Sequence, residues 1–137
     1  QPTRSQSRYG RSTNLKRKQE PMTPSRIEQL EELIKLDPDD HTLHYMIGLE
    51  HLESGRVDDA VLSLERYLEV EEANQGDAGA CLGRLAEAYR QAGRTEDAVQ
   101  AYRRGIRSAV QHNHADLKNE LTAAMQAIQE DADQSAP

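Results

Sequence analysis

Gly55-Arg56-Val57-Asp58-Asp59-Ala60-Val61 returns 38 residues later as Gly93-Arg94-Thr95-Glu96-Asp97-Ala98-Val99. Each copy has a glycine-arginine pair, one variable residue, an acidic pair, then Ala-Val. Aligning the chain on these stretches pairs Gly48 with Ala86, His51 with Tyr89, and Leu64 with Tyr102. Self-similarity at this period marks an array of stacked supersecondary units, here about 34 residues long with about four inserted between them.

The repeated positions make physical sense as a helical hairpin. A three-residue turn between antiparallel helices needs a left-handed residue where the first helix ends. Glycine takes that conformation without steric cost, and Gly55 and Gly93 are placed for it. Where the two helices cross, small residues let the backbones approach: Gly48 opposite Ala60, and Ala86 opposite Ala98. Ile47, Leu64 and Leu68 fill the seam of the first unit. Leu82, Leu85, Tyr89, Tyr102 and Ile106 fill that of the second. Each hairpin alone leaves an apolar side bare, so the hairpins must stack.

Outward from the repeat the pattern stays helical, which predicts an all-α fold. Ile27, Leu30, Leu33 and Ile34 form one face of a helix capped by Thr23, with Pro24 at its first position. Leu36-Asp37-Pro38 ends it, because a residue before proline disfavours helical geometry. Asp40 caps a helix over 41–53, and helices follow over 57–72 and 78–91, separated by a turn at Asn74, Gly76 and Asp77. Thr95 is expected to cap 96–110. Asn113 is expected to cap 114–129, with Asp116 completing a capping box.

On these residues the chain resembles the tetratricopeptide repeat family over about 24–129. Leu82, Leu85, Ala86, Tyr89, Gly93, Ala98 and Tyr102 stand at that family's signature positions. The first unit departs from the pattern: His44 replaces a large apolar residue and Tyr67 a small one. Pro38 falls in register with a repeat-closing proline, although neither full unit closes with one. The resemblance implies a helical-hairpin solenoid built as a half-repeat, two full repeats and a capping helix, coiled right-handedly.

Residues 1–22 read as a disordered basic leader, 23–129 as the folded domain and 130–137 as a flexible tail. Residues 1–21 carry a net charge of +5 and the rest of the chain −12. An acidic folded part repels nucleic acid and favours basic partners. The leader's bases are interrupted, with Tyr9 as its one aromatic residue, a weak signal for nucleic acid or membrane. No apolar run reaches the length of a bilayer span. The single cysteine, Cys81, makes no internal disulfide, so the expected location is cytoplasmic.

Nothing in the sequence points to catalysis or a cofactor. There is no nucleophile elbow, phosphate-binding glycine loop or cysteine pair. Cys81 lies near a helix start, where a thiol can be activated, but no histidine is placed to assist it, so it reads as a packing residue. The five histidines lack metal-site spacing. His44 and His51 lie about 10 Å apart by helix rise, too far to share a metal, and all five read as buried or capping residues.

The family resemblance implies a concave face lined by the first helix of each pair, holding a peptide or helix of another protein. By position, Thr42, Tyr45, Leu49, Leu52 and Glu53 would line it in the first unit. Ala80, Gly83, Arg84, Glu87 and Arg90 would follow in the second, with His114, Leu117 and Lys118 from the last helix. The set lacks the basic residues and asparagines with which chaperone-docking members clamp a terminal carboxylate. The expected function is a non-catalytic adaptor or scaffold for a basic or amphipathic segment. The alternatives are a self-assembling homo-oligomer and an accessory subunit of an enzyme or chaperone complex.

Overall fold

A computed structural model describes residues 24–135. The basic leader, the expected cap Thr23 and residues 136–137 lie outside the described residues. Six α-helices follow in order: α1 (Arg26–Leu36), α2 (His41–Glu53), α3 (Val57–Ala73), α4 (Gly79–Gln91), α5 (Thr95–Gln111) and α6 (Ala115–Ser135). No strand occurs among the described residues.

Each helix packs on its sequence neighbours, α2 most extensively on α3 and α4 on α5. The contacts one element further along decide the curvature. The first helices of each pair touch, α2 on α4 and α4 on α6, whereas α1, α3 and α5 do not approach one another as closely. An array whose first helices meet while its second helices splay is concave on the side of α2, α4 and α6. This is the half-repeat, two-repeat and closing-helix arrangement expected from the sequence.

The core follows the predicted seam. Leu64, Leu82 and Leu85 are fully enclosed, with Ala60, Ala86 and Ala98 at the crossings. Ile47, Leu68 and Tyr102 are also buried, while Tyr89 and Ile106 pack at its edge. Gly48 is buried, and its nearest neighbours across the crossing are the Leu64 and Ser63 side chains; a Cβ there would lie 2.8 Å from Leu64 Cδ2. The close contact therefore falls one turn beyond Ala60, the residue expected to face it.

Four helix ends close in the same way. After α2, the Arg56 amide donates to His51 O at 2.8 Å and the Gly55 amide to Leu52 O at 3.2 Å. After α4, Arg94 donates to Tyr89 O and Gly93 to Arg90 O, at 2.8 and 3.0 Å. These are Schellman closures around a left-handed glycine, with φ +79° at both Gly55 and Gly93. The ends of α3 and α5 use the same bond pair around Gln75 (φ 56°) and Asn113 (φ 60°). The left-handed residue after α3 is thus Gln75 and not the neighbouring Gly76.

Three caps differ from the sequence expectation. Ser25, not Thr23, caps α1: its hydroxyl accepts from the Glu28 amide, and the Glu28 carboxylate accepts from the Ser25 amide. Proline 24, expected inside the helix, stands just before this box. Arg94 occupies the cap of α5 and makes no side-chain cap bond; Thr95 is already helical. Asn113 closes α5, so it is not available to cap α6. That helix runs on through Ser135, past residue 129, because no glycine or proline interrupts the segment.

Candidate partner-binding groove

On α2, Leu49, Leu52 and Glu53 are spaced i, i+3, i+4 and share one face. On α4, Arg84, Glu87 and Gln91 are spaced i, i+3, i+7 and do the same. Because α2 and α4 are adjacent first helices, the two faces meet. Together with Glu50 they line one cavity of about 430 Å³. The structure thus brings together five of the residues singled out from the sequence: Leu49, Leu52, Glu53, Arg84 and Glu87. Glu50 and Gln91 are additions. Glu50 lies 3.9 Å from Arg26 Nε of α1, so the rim of this cavity continues onto the half-repeat.

The charged wall is already organised. The Glu87 carboxylate accepts from Arg90 Nε at 3.1 Å and from Gln91 Nε2 at 2.9 Å. The Arg90 bonds hold the Glu87 carboxyl below the usual carboxylate range, against the opposing effect of partial burial. Arg84 and Glu53 are exposed, whereas Leu49 and Leu52 are half-buried against the core and give the cavity an apolar floor.

The other residues named from the sequence lie outside this cavity. Tyr45 packs against the core, its ring 4.8 Å from that of Tyr67. Burial pushes its phenol up, with the Arg84 guanidinium acting in the opposite direction. Tyr67, the residue that departs from the small-residue pattern, also stacks on His41 at 5.0 Å. His41 Nε2 in turn meets Glu71 Oε1 at 2.9 Å. Gly83 and Leu117 belong to the contact of α6 with α4: a Cβ on Gly83 would lie 2.8 Å from Leu121, and Leu117 approaches the Cβ position of Gly79 to 3.0 Å. Thr42, Ala80, Arg90, His114 and Lys118 are exposed. The Thr42 amide donates to Asp40 Oδ1, the expected cap of α2.

Cys81 is enclosed and its Sγ lies 3.7 Å from Leu64 O. Burial pushes its thiol up to about 12, reinforced by Glu71 and Glu72 and opposed by Arg104. That is the reverse of activation. The histidines are scattered in role. His51 Nδ1 and His44 Nε2 are buried without hydrogen-bond partners. His112 Nδ1 bonds Ser108 O at 2.9 Å, and His114 Nδ1 pairs with Asp77 at 3.0 Å. No cluster of three or more metal-ligating side chains occurs among the described residues.

A tetratricopeptide repeat family model matches residues 27–78 and again 45–116, a span covering both hairpins and most of α1. The chain belongs to the tetratricopeptide repeat family. Such repeats generally mediate protein–protein interactions and are typically non-catalytic. No curated protein matches the chain in sequence. Among the described residues, no helix of this tetratricopeptide repeat protein is long and apolar enough to cross a membrane.

Proposed function

We infer that this protein is an adaptor whose concave face, between α2 and α4, captures a segment of another protein. The observation that carries this reading is the shared cavity: an apolar floor of Leu49 and Leu52, walled by Glu50, Glu53 and Glu87 against the single base Arg84. A segment with one apolar edge and flanking lysines or arginines complements it. The apolar edge supplies burial, and the charges fix orientation more than affinity. The cavity is read as a binding surface. It holds no nucleophile, and its best-placed carboxylate, Glu87, is occupied by Arg90 and Gln91.

Selection from a displayed random peptide library tests the reading. The full chain should enrich peptides with an apolar residue flanked by bases. The exposed-residue variant Glu53→Lys with Arg84→Glu should lose that preference, with its helical circular dichroism unchanged. Enrichment of the same peptides by both proteins places the binding surface elsewhere.

A further inference from the structure

The back of the array, opposite the groove, carries a charge inversion between the two repeats. α3 and α5 are equivalent helices, offset by 38 residues. Where α3 has Glu65, Glu69 and Glu72, α5 has Arg103, Arg107 and Val110. Over its length α3 holds six carboxylates and one base, Arg66. From Gln100 onward α5 holds three arginines and no carboxylate. Leu62, 66% exposed, lies two turns before Glu69 on the same side of α3; Val110, 56% exposed, lies one turn after Arg107 on α5.

Part of this charge is used within the chain. Glu72 bonds Arg104 and so bridges α3 to α5, between two cavities of about 600 and 750 Å³. Glu71 meets His41. Glu65 accepts from the Tyr89 hydroxyl, a neutral donor that leaves the carboxylate charge in place. Glu69, Arg103 and Arg107 are exposed and have no ion-pair partner among the described residues.

We propose that two copies of this chain pair through this back face, about a two-fold axis that runs between α3 and α5 and parallel to them. Such an axis lays α3 of each copy on α5 of its partner and keeps equivalent positions level. Glu69 then meets the partner's Arg107, and Glu65 the partner's Arg103, each contact occurring twice. Leu62 falls beside the partner's Gln100 and the methylenes of the partner's Arg103, and Val110 beside the partner's Ala73. Arg66 meets the partner's Arg104, whose charge Glu72 already balances.

Charge selects this occupant and this axis. A face of one sign calls for a different molecule, whereas a face with opposite signs at equivalent positions complements itself. An axis perpendicular to the helices would set α3 on α3, acid against acid. The acids that begin α3 and α5, among them Asp58 and Glu96, stand about 15–17 Å along the helices from Glu69 and Arg107. Helices crossing at an angle touch over only about two or three turns, which leaves those acids apart. The copies share a net charge of −7, but at about 0.15 M salt the Debye length is about 8 Å, and charges in contact dominate.

This pairing is independent of the groove between α2 and α4. The test is sedimentation of the full chain over a wide concentration range, combined with charge exchange. The parent should show a reversible monomer–dimer equilibrium. Glu69→Arg and Arg107→Glu should each weaken dimerisation about tenfold or more, because every dimer contains the contact twice. The variant carrying both changes should return to within about threefold of the parent, since the pair is rebuilt in reverse. Both positions are exposed, and an unchanged helical circular dichroism signal checks the fold. A monomeric parent overturns the proposal, including one that binds polyglutamate through Arg103 and Arg107. So does a dimer that keeps its strength in both single variants, or that the double variant does not regain. A dimer abolished by Leu36→Asp also overturns it, because the contact then lies on α1.

Discussion

Gly79 and Gly105 face each other across the crossing of α4 and α5, each carbonyl oxygen 3.4 Å from where a Cβ on the other would stand. Leu121 of α6 fills the same slot, 2.9 Å from the Cβ position of Gly105 and 2.8 Å from that of Gly83. Three helices therefore meet at a place built by missing side chains. The closing helix is held by a leucine inserted among glycines, in addition to general apolar cover.

Gly105→Val is expected to destabilise the protein by about 1–3 kcal/mol, the range for overpacking a filled site. Leu121 is flexible and gives way, but Leu82 Cβ at 3.2 Å is fixed to its backbone. A denaturant titration followed by circular dichroism measures the effect. The same substitution at Gly55 would act through backbone strain, because nothing lies within 4 Å of a Cβ there. An unchanged midpoint for Gly105→Val means that α6 docks without this slot.

The left-handed helix ends give a second, opposite expectation. A non-glycine residue at positive φ is held there against a cost of about 1–2 kcal/mol. Gln75→Gly relieves that cost and should stabilise the protein by about 0.5–1 kcal/mol once the greater freedom of glycine in the unfolded chain is deducted. Asn113→Gly should change little, since asparagine tolerates this conformation. Gly55→Ala and Gly93→Ala should each lose about 1 kcal/mol. Thermal melts of the four variants decide the ranking; a destabilised Gln75→Gly would refute the closure assigned to α3.

The same ends show what could be read from the residues alone. Gly55 and Gly93 announce their turns because glycine is the residue the geometry prefers, and the repeat supplied two copies to compare. Gln75 has no such preference, so the turn was read from Asn74, Gly76 and Asp77 without the residue that carries the positive φ. Asn113 fits both a cap and a left-handed closure, and its φ of 60° with the bond from the His114 amide to Ala109 O, 2.8 Å, separates them. That Leu49, Leu52 and Glu53 share one face, and Arg84 and Glu87 another, was legible because helical spacing dictates it. Glu50 and Gln91 were not, since their place depends on how α2 and α4 sit together. The contact of Tyr45 with Tyr67 was not legible either, because Tyr67 stands where the family pattern has a small residue.

Cys81 supports the last expectation, a loss of stability in alkali. Its folded thiol is pushed up to about 12, mainly by burial, while an exposed thiol titrates near 8.5. Between these values the unfolded chain has released a proton that the folded chain retains. Stability is therefore undiminished below about pH 8.5 and falls as pH rises towards 12, by up to about 1.4 kcal/mol per pH unit. Tyr89, raised to about 12 by burial and then by Glu65, acts in the same direction but only above about pH 10. Urea midpoints at pH 7.5, 9 and 10 isolate the cysteine, and Cys81→Ala should flatten the slope between the latter two. At pH 8 the native thiol should also react with a maleimide only as fast as the core opens. Labelling at the rate of a free thiol, or an alkaline slope that survives Cys81→Ala below pH 10, would show that the thiol is not held protonated beneath α3.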